Sequence, residues 1–211
     1  LYQHYQLQVI IKPAPSDIQD IYLQSLENLG IKIKENDIRF IEDDWESQVL
    51  GAAGVGWEVR LNGLEITQFT YFQLMGGIEL SQISVEITYG LERLAMYLQS
   101  KSSVFEILWN EDVLYKDIQY DFEKEFSKYS MIVADKSRYQ RLFEDYIAYA
   151  KRLLKEELIL PAYDYTLKCS HIFNILEARG GLSHQQRQSY IQRIRELAKE
   201  CAKLYIAKKN G

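Results

Sequence analysis

The sequence predicts an α+β fold in which an antiparallel sheet flanked by helices is followed by an all-helical C-terminal region. Three observations predict it. Asn62-Gly63 stands between WEVRL and LEITQFTYF, two runs rich in β-branched and aromatic residues, which is a strong hairpin signal. In residues 2–11 the even positions Tyr2, His4, Gln6 and Gln8 are polar or amphipathic, while Tyr5, Leu7, Val9 and Ile11 are mostly apolar. From about Ser137 to Ala207 the apolar residues recur at helical spacing.

The elements follow in order. Residues 2–11 read as a strand with one face on a core and one on a polar site. KPAPSD breaks it, and Ser16 or Asp17 is placed to cap a helix through Ile18, Ile21, Tyr22 and Leu26 that stops at Gly30. A short strand DIRFI precedes the hairpin. Gly51, Gly54 and Gly56 run into a strand, whereas a dinucleotide-binding loop follows a strand and opens a helix, so they are not read as one. After Ser100 the residues turn polar and aromatic up to about 136. Three helices then follow: one up to Pro161, one from Ala162 ending at Gly180-Gly181, and one opened by a capping box, Ser183 with Gln186.

Composition excludes several function classes. The 211 residues are 47% hydrophobic with 3 prolines, enough for a sizeable core. A formal charge of −5 argues against a surface that binds polyanions non-specifically. Cys169 and Cys201 are too few for a disulfide framework, and Cys201 lies on an apolar stripe with Ile194, Leu197, Ala198 and Leu204, so both read as packed, reduced thiols. His4, His171 and His184 share no ligand spacing. The reduced cysteines point to a cytoplasmic protein, and with no run that reaches the roughly 18 apolar residues of a membrane span, no membrane partner is expected. The chain begins without methionine and apparently within a strand, so part of a longer protein is expected.

The most informative stretch is EITYGLER, residues 86–93. On an extended backbone Glu86, Thr88 and Gly90 face one way, lining one surface with a carboxylate, a hydroxyl and bare backbone. Such a row suits a small polar ligand, and a carboxylate can hold a cationic amine. Arg93 falls in the first turn of the helix that follows, where free N–H groups already favour an anion and a guanidinium would hold phosphate. Glu92 is placed to brace it. Read alone, Glu92 and Arg93 would pass for ordinary surface helix charges.

GLER between a strand and an apolar helix resembles motif 3 of the class II aminoacyl-tRNA synthetases, and HYQLQVIIKP resembles the second strand of their motif 2. IRFIEDDWE, GWEVRLNGLEITQFTYFQ, ITYGLERLAMYLQ and LPAYDYTLKCSHIFNILEARGGLSHQQRQSYIQRIREL together resemble the α subunit of bacterial tetrameric glycyl-tRNA synthetases, over nearly the whole chain.

The resemblance implies a class II catalytic core over residues 1–115, a connecting segment over 116–136 and a helical region over 137–211. It implies a ligase that activates glycine with ATP and Mg²⁺ to glycyl-adenylate and passes glycine to tRNA(Gly). The subunit would form an α–α homodimer within an α2β2 tetramer, whose β subunit carries most tRNA contacts. Arg93 would bind ATP phosphate and adenine, with Glu65 as the carboxylate for Mg²⁺ and ATP and Gln68 as its companion. His4 would lie near adenine; Gln6 and Gln8 would point toward glycine. Glu86 would take the glycine ammonium and Thr88 would exclude larger side chains. Thr67, Trp57 and Glu58 would line the same pocket, Trp57 equally well being core.

The chain departs from the family pattern at Ala53 and Arg60, where tryptophans are expected, and at Val85, where a glycine is usual. Motif 1 and the motif 2 arginine would precede Leu1. Two rival readings are a synthetase-like binding module without chemistry and an alanyl-type adenylate-forming ligase. Arg187, Arg193 and Arg195 read as a solvated helix face rather than a tRNA site, and the C-terminal helices as a packed bundle or a subunit interface.

Overall fold

The structure, a computed structural model, describes residues 1–210. Its elements are β1 (Gln6–Ile11), α1 (Ile18–Asn28), β2 (Ile38–Glu42), β3 (Trp45–Ser47), β4 (Ala52–Leu61), β5 (Leu64–Met75), β6 (Ile78–Gly90), α2 (Leu91–Leu98), α3 (Tyr115–Lys128), α4 (Lys136–Lys155), α5 (Ile159–Ala178) and α6 (His184–Asn210). The six strands form one sheet in the order β1-β6-β5-β4-β2, with β3 paired to β4. The α+β fold expected from the sequence is the fold observed. Two compact units divide the chain, one of residues 1–45, 54–73 and 81–126, the other of residues 46–53, 74–80 and 127–211.

In the first unit the β4–β5 hairpin turns at Asn62 and Gly63, with φ of 51° and 86°, the pair of left-handed residues a type I′ turn requires. β1 runs antiparallel to β6, Gln6 opposite Gly90 and Gln8 opposite Thr88, so partners share a face. One face of the sheet is covered by α1: Ile18, Tyr22 and Leu26 pack on Val59, Leu61, Phe69, Val85, Ile87 and Tyr89. The Tyr22 ring meets Phe69 edge-on at 4.9 Å, and its hydroxyl donates to Thr67 Oγ1 at 2.8 Å. The opposite face of β6, carrying Glu86, Thr88 and Gly90, is only half-buried. Sequence alternation thus leaves one polar face free for a ligand.

Local details differ from expectation. Ile21 is 44% exposed because it lies a helical step away from the stripe of Ile18, Tyr22 and Leu26. The first strand starts at Gln6, not Tyr2, and Leu7 is exposed because the α1 cluster reaches only Val9 and Ile11 of that strand. Asp17 occupies the N-cap of α1 without a side-chain bond. The polar stretch after Ser100 contains α3 and then a π-helical turn over Tyr129–Val133.

The second unit holds α4, α5 and α6 around a core that includes Phe143, Ile147, Leu153, Cys169, Phe173, Leu176, Ile194, Leu197 and Cys201. Both thiols are buried there, and burial pushes that of Cys169 up to about 12. α5 begins ahead of Pro161, since a first-turn residue needs no N–H partner. The capping box forms as expected: Gln186 N–H donates to Ser183 Oγ at 3.2 Å and Ser183 N–H to Gln186 Oε1 at 2.9 Å. Arg187, Arg193 and Arg195 are not a simply solvated row. Arg187 binds Glu177, Arg193 binds both Glu144 oxygens at 2.7 and 2.6 Å, and Arg195 donates to the Gln48 carbonyl at 2.7 Å. No helix among the described residues is long and apolar enough to cross a membrane.

Candidate active site

Where α2 leaves β6, a cavity of about 470 Å³ opens in the first unit. Seven of the expected site residues line it: His4, Gln6, Glu65, Thr67, Gln68, Thr88 and Arg93. They come from the segment before β1, from β1, β5 and β6, and from the first turn of α2, so the sheet topology gathers residues from distant parts of the sequence. Gln8 and Glu86 continue the same sheet face without lining the cavity itself.

Arg93 pairs with Glu65. Its Nη1 lies 2.6 Å from Glu65 Oε2 and donates to the Glu65 carbonyl at 3.0 Å. Both side chains are more than a third exposed, so the pair is cheap to exchange for a ligand. Glu92 does not brace Arg93. Neighbouring helical residues point about 100° apart, and Glu92 turns to accept from the Tyr5 N–H and the Tyr115 hydroxyl, both at 2.7 Å.

Gln68 and Glu65 meet the cavity together, as residues 64–68 all line it. Ile66 and Thr67 are 1% exposed, and the Thr67 hydroxyl is turned to Tyr22 in the core. The Gln68 amide donates to the Phe69 carbonyl at 3.2 Å.

Glu86 is half-buried on β6, and burial raises its carboxyl above the ordinary range while the Thr88 hydroxyl bonded to it pulls the other way. An amine placed against this pair would meet a carboxylate in a partly dry setting, where its charge counts for more than in water. Trp57 packs against the core and hydrogen-bonds Tyr71; Glu58 is held by Arg60 at 2.6 Å. Neither lines the cavity. Of the departures, Arg60 thus has Glu58 as partner, and Val85 is fully buried in the α1 cluster.

Sequence reasoning missed Leu1, Leu64, Met96 and Val104 as lining residues. Met96 was signalled by its place three residues after Arg93 on one helix face. Val104, in a short 3-10 turn after Ser103, carried no such signal.

The family model for the glycyl-tRNA synthetase alpha subunit matches residues 1–210. The chain belongs to this family. A glycine–tRNA ligase alpha subunit from Petrotoga mobilis is 54% identical over 207 residues, 98% of this chain and 72% of the relative. Among solved structures, the pyrrolysyl tRNA synthetase PylSc of Desulfitobacterium hafniense superposes with a TM-score of 0.37 at 20% identity, over 53% of this chain and 40% of that one. Membership of the family implies that the chain uses ATP.

Proposed function

We propose that this chain is the catalytic subunit of a glycine–tRNA ligase. Glycine carboxylate attacks the α-phosphate of ATP, pyrophosphate leaves, and the tRNA(Gly) 3′ end then takes the glycyl group from the adenylate, releasing AMP. The observation that carries this reading is a cavity shared by His4, Gln6, Glu65, Gln68, Thr88 and Arg93 in a chain of this family. Arg93 takes ATP phosphate and the adenine edge, and His4 lies toward the adenine. Gln6, Gln8, Glu86 and Thr88 form the glycine side. No covalent nucleophile is needed, because in-line attack depends on positioning and on neutralising phosphate charge.

Mg²⁺ fits this donor set. It usually binds one or two carboxylates plus substrate phosphates. Glu65 is the cavity's carboxylate on β5, and no cluster of three or more metal-binding side chains occurs among the described residues. Glu65 would hold the ion and Gln68 stands beside it; when bound, the ion offsets charge on the phosphates. The subunit works as an α–α pair with β subunits in an α2β2 tetramer in the cytoplasm, tRNA being held mainly by β. The acidic balance of −5 supports that division of labour.

Glycine-dependent ATP–pyrophosphate exchange by the full-length subunit with its β partner tests the reading. Arg93→Ala is expected to lower exchange by about 100-fold or more with unfolding unchanged; near-normal exchange sinks the assignment. Exchange driven by alanine instead of glycine would favour the alanyl-type ligase, and none with either would favour a binding module.

A further inference from the structure

Glu92 is 8% exposed, a buried acid beside the arginine expected to bind ATP. One oxygen, Oε1, accepts both the Tyr5 N–H and the Tyr115 hydroxyl. The Leu91 N–H in turn donates to the Tyr5 carbonyl at 3.2 Å. Both backbone groups of Tyr5 are therefore tied to residues 91 and 92, which carries the β1–β6 pairing past its last rung, Gln6 opposite Gly90. Without Glu92 the Tyr5 N–H would have no ladder partner, since β1 has not yet begun.

The surroundings reinforce the tie. Tyr115 is 2% exposed, and burial, then its bond to Glu92, push its hydroxyl well above the ordinary range, which keeps it a donor. The Tyr5 ring packs on Trp109 at 5.8 Å, and the Gln119 amide donates to its hydroxyl at 3.0 Å. The Tyr2 ring packs at a tilt against Phe122 and Phe126 of α3, at 6.1 and 5.4 Å. The residues on either side of Tyr5, His4 and Gln6, both line the cavity.

We propose that Glu92 is a positioning residue: it clamps Tyr5 and so fixes His4 and Gln6 in the cavity they share with Arg93. This rests on the ligase reading; Glu92 itself borders the cavity, but its Oε1 is taken by the Tyr5 N–H and the Tyr115 hydroxyl, so it acts through Tyr5. A carboxylate is suited to the task because one oxygen can accept from two donors on different segments, and glutamine retains such an oxygen.

The test compares Glu92→Ala and Glu92→Gln in the full-length subunit with its β partner, by exchange kinetics and by hydrogen exchange at the Tyr5 amide. Glu92→Ala is expected to raise KM for ATP about tenfold and to speed exchange of the Tyr5 amide, while Glu92→Gln stays within about threefold of wild type. A purely structural role would lower kcat through a smaller active fraction and leave KM alone. Unchanged KM in Glu92→Ala, or equal damage in Glu92→Gln, overturns the proposal. If the alanine variant does not fold, Tyr115→Phe replaces it, with a raised KM for ATP expected and an unchanged one overturning it. Should wild type show no glycine-dependent exchange, the ligase reading fails, and the Tyr5 amide still reports on the clamp.

Discussion

Glu86 holds a carboxyl where burial favours the neutral form, and only the Thr88 hydroxyl leans toward the charged one. Because its folded pKa is raised, the stability it contributes is fully present below its unfolded pKa and is lost as pH rises through the folded value. An ammonium needs the ionised form, so glycine affinity should run the opposite way and fall as pH drops through that raised pKa. Glu86→Gln is expected to remove this acid limb from the pH profile of glycine KM and to raise KM by about 10- to 100-fold; a retained limb would move the role elsewhere. Thr88 faces the same side one step closer to Gly90. Thr88→Gly is expected to let alanine compete about tenfold better against glycine in exchange, the usual worth of one methyl in a fitted pocket. The same change removes the hydrogen bond that eases Glu86, so glycine KM should rise as well.

β4 shows what sequence reading could reach. Its glycines are easily mistaken for a nucleotide loop, and their place in a run that leads into a strand instead of a helix rules that out, but the reason for them is visible only in three dimensions: a Cβ at Gly56 would run into the Phe69 carbonyl, and one at Gly54 into that of Tyr71. Gly56→Ala must push β5 aside, and with it Glu65 and Gln68. A loss of about 1–3 kcal/mol in urea unfolding, with weakened exchange, is expected. Features fixed by neighbours in sequence were legible: the Asn62-Gly63 turn, the Ser183 box, the alternating face of Glu86 and Thr88, and Arg93 at the start of α2. Features fixed by distant partners were not. Glu92 meets Tyr5 87 residues away, and Arg93 meets Glu65 28 away.

Two cores stabilise the chain, one under the sheet and one among α4, α5 and α6. In the bundle Arg193 spreads over the Phe143 ring at 4.9 Å while gripping Glu144, whose carboxyl it holds below the usual range. The contribution of this pair is present above the unfolded pKa of Glu144 and is lost as pH falls through its lowered folded value. Arg193→Met should cost about 1 kcal/mol near neutral pH and flatten that acid dependence in calorimetry; unchanged acid sensitivity would count against it. At the cavity, the pairing of Arg93 with Glu65 presents a neutral couple instead of a bare cation and a bare anion. A free phosphate would strand the carboxylate, and a free metal ion would strand the guanidinium. On the proposed ligase reading, a phosphate arriving with its metal would satisfy both at once, so that entry would be a double exchange of counterions.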